Sequence, residues 1–121
     1  MSSYVFYAEG GNLYRYNTSN ADKALIYQAP EGWNINILKL RSYDKSSFMG
    51  EDDDNLRQYI CIGMNKGNEG AVTEIKLTTA GDIDETFNNN VYTQDESGAK
   101  FGNIMDLQFA HEYIYYVKDY Q

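Results

Sequence analysis

One strand-like run occurs three times in this chain. Tyr4-Val5-Phe6-Tyr7-Ala8, Tyr59-Ile60-Cys61-Ile62-Gly63 and Tyr113-Ile114-Tyr115-Tyr116-Val117 begin about 55 residues apart. Each is apolar, aromatic and β-branched, the composition that suits a pleated strand. The first two lead through a Gly/Asn turn into a second strand. An internal period of this order signals blades, solenoids or arrays. A strand apolar on both faces must also be covered on both sides. The repeat therefore constrains architecture before any other feature is considered.

The residues between the copies fill out the unit. Glu9-Gly10-Gly11-Asn12 is a hairpin turn, since glycine supplies the positive backbone angles that tight turns demand. Residues 13–17 return from it, and residues 24–28 form a third strand that ends at Pro30-Glu31-Gly32. Trp33-Asn34-Ile35-Asn36-Ile37-Leu38-Lys39-Leu40 alternates, with Ile35 and Ile37 expected on one face and Leu38 and Leu40 on the other. Residues 42–58 read as an exposed polar loop. The pattern then restarts, with a turn over residues 65–70, a return strand over residues 71–77 and a weaker outer strand over residues 87–93. Residues 102–109 mirror the alternation of residues 34–40 and deliver the third copy.

The expected unit is thus four strands: an alternating leading strand, a strand apolar on both faces, a return strand and a polar outer strand. Stacked four-stranded sheets of this kind are β-propeller blades. The fold expected is all-β, a single domain over residues 1–121 of antiparallel meanders resembling about two blades. The repeat units cover about residues 4–28, 33–93 and 103–119. Propellers typically have about four to eight blades, so this number leaves an incomplete ring. Three solutions are open: a longer parent chain, assembly between copies, or sheets folded on one another as a sandwich or small barrel.

Composition narrows the partners. A formal net charge of −8 argues against nucleic acid, which is bound through clustered Lys and Arg, and against an anionic membrane surface. No stretch approaches the length of a membrane span. Tyr4 already begins a strand, so residues 1–3 do not read as a signal peptide. The single cysteine, Cys61, lies in an apolar strand and reads as a small buried hydrophobe. Twelve tyrosines, ten glycines and one proline suit short strands and tight turns.

The run Val5-Phe6-Tyr7-Ala8-Glu9-Gly10-Gly11-Asn12-Leu13-Tyr14-Arg15-Tyr16-Asn17 resembles the G-x-x-L-Y-x-Y hairpin in the propeller-like C-terminal region of PKD-like family surface lipoproteins of Bacteroidetes. Residues 37–40, 58–64, 70–77 and 102–107 are similar to later pieces of the same region, so the resemblance covers most of the chain. It implies a cell-surface, lipoprotein-related and carbohydrate-associated setting. It supplies no catalytic residues.

Several groups of residues are candidates for chemistry. Glu51 with Asp52, Asp53 and Asp54 offers clustered oxygens for calcium, but lacks the spacing that wraps a loop round the ion. His111, the only histidine, stands beside Glu112 without a signalled set of further metal ligands. Asp82 and Asp84 form a carboxylate pair by composition alone. No nucleophile elbow supports Ser/His/Asp catalysis. The aromatic residues are better placed to bind. A ring covers the C–H face of a sugar while amides and carboxylates bond its hydroxyls. Trp33 with Asn34 and Asn36, and Tyr14 with Arg15 and Tyr16, are the candidate ligand-binding residues; the alternative is that these rings pack between sheets. The chain is therefore expected to be a non-catalytic binding or scaffold module, without metal or cofactor, whose partner is a glycan or a surface protein. The alternative is a self-assembling structural or adhesion module in which blades are completed between chains.

Overall fold

The hairpins expected from the glycine turns are present. Gly10 and Gly67 sit at their tips with φ of 59° and 61°. The computed structural model describes residues 4–44, 56–87, 89–110 and 113–118. Among these residues there are eight strands and no helix. Strands β1 (Tyr4–Glu9), β2 (Asn12–Asn17) and β3 (Lys23–Gln28) form the first sheet. Strands β4 (Asn34–Asp44), β5 (Leu56–Lys66) and β6 (Glu69–Leu77) form the central sheet, and β7 (Ile104–Ala110) with β8 (Tyr113–Lys118) forms the last. All pairings are antiparallel and join strands consecutive in sequence.

The central sheet is covered on both faces. One apolar cluster joins Leu13 and Ile26 of the first sheet to Ile35, Ile60, Ile62, Met64 and Ile75 of the central one. A second joins Ile37, Cys61 and Val72 of the central sheet to Ile104 and Leu107 of the last, with Phe101 beside them. Neighbouring residues of β5 therefore serve different clusters, as a strand of period two must when both its faces are dry. The described sheets form a stack of three and do not close into a ring.

Three expectations need correction. Ile35 and Ile37 do not share a face. Ile35 opposes Met64 and Ile37 opposes Gly63, so Asn36 is the extra residue of a β-bulge and the alternation reverses there. Each isoleucine is consequently buried in a different cluster. The ends of the loop expected over residues 42–58 are strand, because Ser42 pairs with Gln58, Tyr43 with Arg57 and Asp44 with Leu56. Residues 89–93, expected in an outer strand over 87–93, do not form one. The segment touches the edge of β6 at one bridge, Val72 with Tyr92, and Thr73 Oγ1 donates to the Asn90 carbonyl at 2.8 Å.

The repeat extends to the bulge. In β7, Ile104 opposes Lys118 and Asp106 opposes Val117, so Met105 occupies the position of Asn36. Ile104 and Leu107 face the central sheet just as Ile35 and Leu38 face the first. Each sheet thus has a backward face, turned to the sheet before it, and a forward face, turned to the sheet after it. Ile60 and Ile62 lie on the backward face of the central sheet; Cys61 and Gly63 lie on its forward face.

Candidate functional site

Trp33 follows the turn at Pro30-Glu31-Gly32, and its backbone N–H donates to the Pro30 carbonyl at 3.1 Å. The half-buried ring packs on the first apolar cluster. Its remaining surface lines an open cleft of about 160 Å³ with Asn68, Glu69, Gly70, Thr93, Lys100 and Gly102. Asn34 and Asn36 are exposed on β4, and neither lines the cleft. The polar partners of Trp33 are Asn68, Glu69, Thr93 and Lys100 instead. They arrive from the β5–β6 turn and from two later segments, and no sequence spacing signals that convergence.

Tyr14 belongs to a different neighbourhood. Its ring stacks on Tyr7 at 5.5 Å and 29°, and Lys23 Nζ lies 4.1 Å from the Tyr14 centroid and 5.6 Å from that of Tyr7. Asn12 Nδ2 donates to the Tyr14 hydroxyl at 3.4 Å. The hydrogen bond with Tyr7 is the main reason the Lys23 ammonium is held above its ordinary pKa. Tyr16 is exposed and opposes Val5 on one side and Lys23 on the other. Arg15, between the two tyrosines, points to the opposite face. It stacks 4.9 Å from the Tyr4 ring and forms an ion pair with Asp82. Strand alternation accounts for this division of Tyr14, Arg15 and Tyr16. Asp82 and Asp84 have separate partners, since Asp84 meets Lys76 at 3.6 Å and accepts hydrogen bonds from the backbone N–H and hydroxyl of Thr86.

A polar group lies on the forward face of the central sheet. Arg41 pairs with Glu74 at 3.1 Å, and the Cys61 thiol donates to the same carboxylate at 3.3 Å. Burial pushes the Glu74 carboxyl above its ordinary pKa, and the Cys61 hydrogen bond and the Arg41 charge oppose that shift. Cys61 itself is buried. Among the described residues no three Asp, Glu, His or Cys side chains are grouped to hold a metal. Glu51, Asp52, Asp53, Asp54, His111 and Glu112 lie outside the described residues.

Large apolar side chains are exposed at both ends of the stack. The backward face of the first sheet presents Val5, Tyr7, Tyr14, Tyr16 and Leu25, with Val5 49% and Leu25 52% exposed. The last sheet presents Val117, 57% exposed, on its forward face, with the bulge residue Met105, 62% exposed, beside it. Among the described residues none packs over these side chains to form a third buried cluster.

No known protein family matches this chain, and comparison with curated proteins and with solved structures finds no significant match.

Proposed function

We propose that this protein is a non-catalytic scaffold module that binds other β-sheet surfaces through the two ends of its sheet stack, as consecutive propeller blades bind one another. The observation that carries this reading is the polarity of the repeat. Two internal interfaces each pair a forward face with a backward face, and one face of each kind is left over with large apolar side chains exposed. Contiguous apolar surface on a soluble protein marks an interaction site. The resemblance to Bacteroidetes surface lipoproteins supports a cell-surface setting.

Titration of an apolar fluorescent dye into dilute folded protein tests the reading. Fluorescence should rise with the wild type and fall in Leu25→Glu and Val117→Lys, with thermal melts unchanged. No enhancement with the wild type would mean that the chain covers both faces itself, and the reading would fail.

A second reading rests on Trp33. Its half-exposed ring shares a cleft with an amide, a carboxylate and an ammonium group, the combination that suits a polyhydroxylated ligand such as a glycan. A glycan array probed with the wild type, Trp33→Ala and Tyr14→Ala tests it. Binding lost in Trp33→Ala and kept in Tyr14→Ala would assign the ligand to this cleft.

A further inference from the structure

We propose that the Trp33 cleft takes a single sugar residue, free or at a chain end, and that the backbone of Gly70 holds it by two adjacent hydroxyls. The proposal rests on the glycan reading of this cleft and specifies how much of a glycan enters and which group orients it. The outer edge of β6 is paired at Val72. The Val72 N–H donates to the Tyr92 carbonyl at 2.9 Å, and the Tyr92 N–H donates to the Val72 carbonyl at 2.8 Å. Backbone groups of an antiparallel strand alternate between its two edges. The ladder of β5 and β6 has no register shift, so the N–H and C=O of Gly70 face the same outer edge as those of Val72. The residue in line to pair with Gly70 is Gln94, which pairs with Lys100 instead. The outer segment leaves the edge after Tyr92, and the cleft opens there, between Gly70 on one side and Thr93, Lys100 and Gly102 on the other.

Gly70 is buried, and among the described residues neither its N–H nor its C=O has a hydrogen-bond partner. Buried backbone groups of folded proteins are nearly always paired. A Cβ at this position would collide with the Gly102 carbonyl, so residue 70 admits no side chain that could cover them. An extended residue presents its N–H and C=O side by side, one donor beside one acceptor. Two adjacent hydroxyls of a sugar ring answer that pair: one donates to the Gly70 carbonyl and its neighbour accepts from the Gly70 N–H. The accepting hydroxyl keeps a proton to donate, and the donating one keeps lone pairs. Glu69 and Lys100 line the same cleft and form no ion pair with each other among the described residues, so they are available as the acceptor and donor for these groups. Trp33 covers an apolar C–H face of the ring.

Size sets the length of glycan that enters. The cleft holds about 160 Å³, against the roughly 300 Å³ at which sites for drug-sized ligands begin. That space fits one ring and not a stretch of chain. A ligand this small binds weakly, with Kd on the order of 1 mM.

The test is an NMR titration of the full chain with the methyl glycosides of glucose, galactose, mannose and xylose, with a linear trimer of any sugar that binds, and with N-acetylglycine methylamide. Trp33 is the only tryptophan, so its indole signal reports this cleft alone. At least one glycoside should shift both the Trp33 indole and the Gly70 amide, and its trimer should bind no more tightly. Glu69→Ala and Lys100→Ala, both at exposed positions, should each weaken binding about two- to tenfold with thermal melts unchanged. Unchanged affinity in both variants overturns the hydrogen bonds assigned to them. A glycoside that moves Trp33 and leaves the Gly70 amide in place overturns the hydroxyl contact, and a trimer that binds far more tightly overturns the single residue; either result leaves the glycan reading intact. If no glycoside moves Trp33, that reading and this proposal fail together, and a response to N-acetylglycine methylamide alone would assign the Gly70 edge to a peptide.

Discussion

Leu107 lies directly over Gly63: a Cβ built on the glycine would sit 2.7 Å from Leu107 Cδ2 and 3.1 Å from the Ile37 Cβ. The glycine thus sets how closely the central and last sheets approach. Gly63→Ala should destabilise the fold by about 1–3 kcal/mol, the cost of overpacking a filled core. Chemical denaturation measures it. Leu107→Ala added to that variant should lose less than the sum of the two single changes, because the residues touch. Strict additivity would mean that the sheets separate freely.

Deleting Asn36 should remove the bulge and with it the reversal of phase in β4. Ile35 and Ile37 would then share a face, so one must leave the cluster that now buries it. Burial of one such side chain is worth about 1.5–3 kcal/mol. The deletion should lower the denaturation midpoint by at least that equivalent, whereas Asn36→Ala, which keeps the residue count, should have little effect.

Glu74 and the aspartates should act in different pH windows. The folded pKa of Glu74 lies above the ordinary 4.5, so folding favours its protonated form. Its contribution is present below 4.5 and is lost as pH rises through the folded pKa. Relative to Glu74→Gln, the wild type should therefore gain stability as pH falls from neutral toward 4.5. Asp84 and Asp95 have folded pKa values held below 3.8 by hydrogen bonds from Thr86 and Ser97. Their contribution is present above 3.8 and lost as pH falls through the lowered values. Asp95→Asn should flatten only that lower limb. Urea midpoints across pH measure both effects.

Thr73 is fully buried, and its hydroxyl holds the Asn90 carbonyl beside β6. Thr73→Val should cost about 0.5–1.5 kcal/mol, the net worth of one such hydrogen bond. Amide exchange at Tyr92, whose N–H donates to the Val72 carbonyl at 2.8 Å, should accelerate in the variant. Unchanged exchange would show that the segment is held without Thr73.

The strands and hairpins were legible because their signals are local. A short apolar, β-branched run marks Tyr59 to Met64, and Gly10 and Gly67 mark the turns. The bulges carried no such mark. Asn36 and Met105 occupy equivalent positions with unlike side chains, because the position requires only an extra residue. The polar ends of β4 and β5 resembled a loop, yet they lie in register with each other and extend the ladder. At the site, the grouping of Arg15 with Tyr14 and Tyr16 overlooked the strand alternation that turns Arg15 to the opposite face, toward Tyr4 and Asp82. The approach of Lys100 and Thr93 to Trp33 had no signal to read, since chain reversal after β6 brings them there and leaves no periodic trace.

Every ladder in the three sheets joins strands that are neighbours in sequence. Such pairing keeps loop-closure entropy low and lets each hairpin form as soon as its residues are present. During synthesis the first sheet can assemble before β4 exists, and the layers can be added in the order in which the chain emerges. The surface around Phe6 and Ala8 would then wait, uncovered, for β5, which makes the interval between residues 28 and 66 the one in which a nascent chain is most open to misassociation.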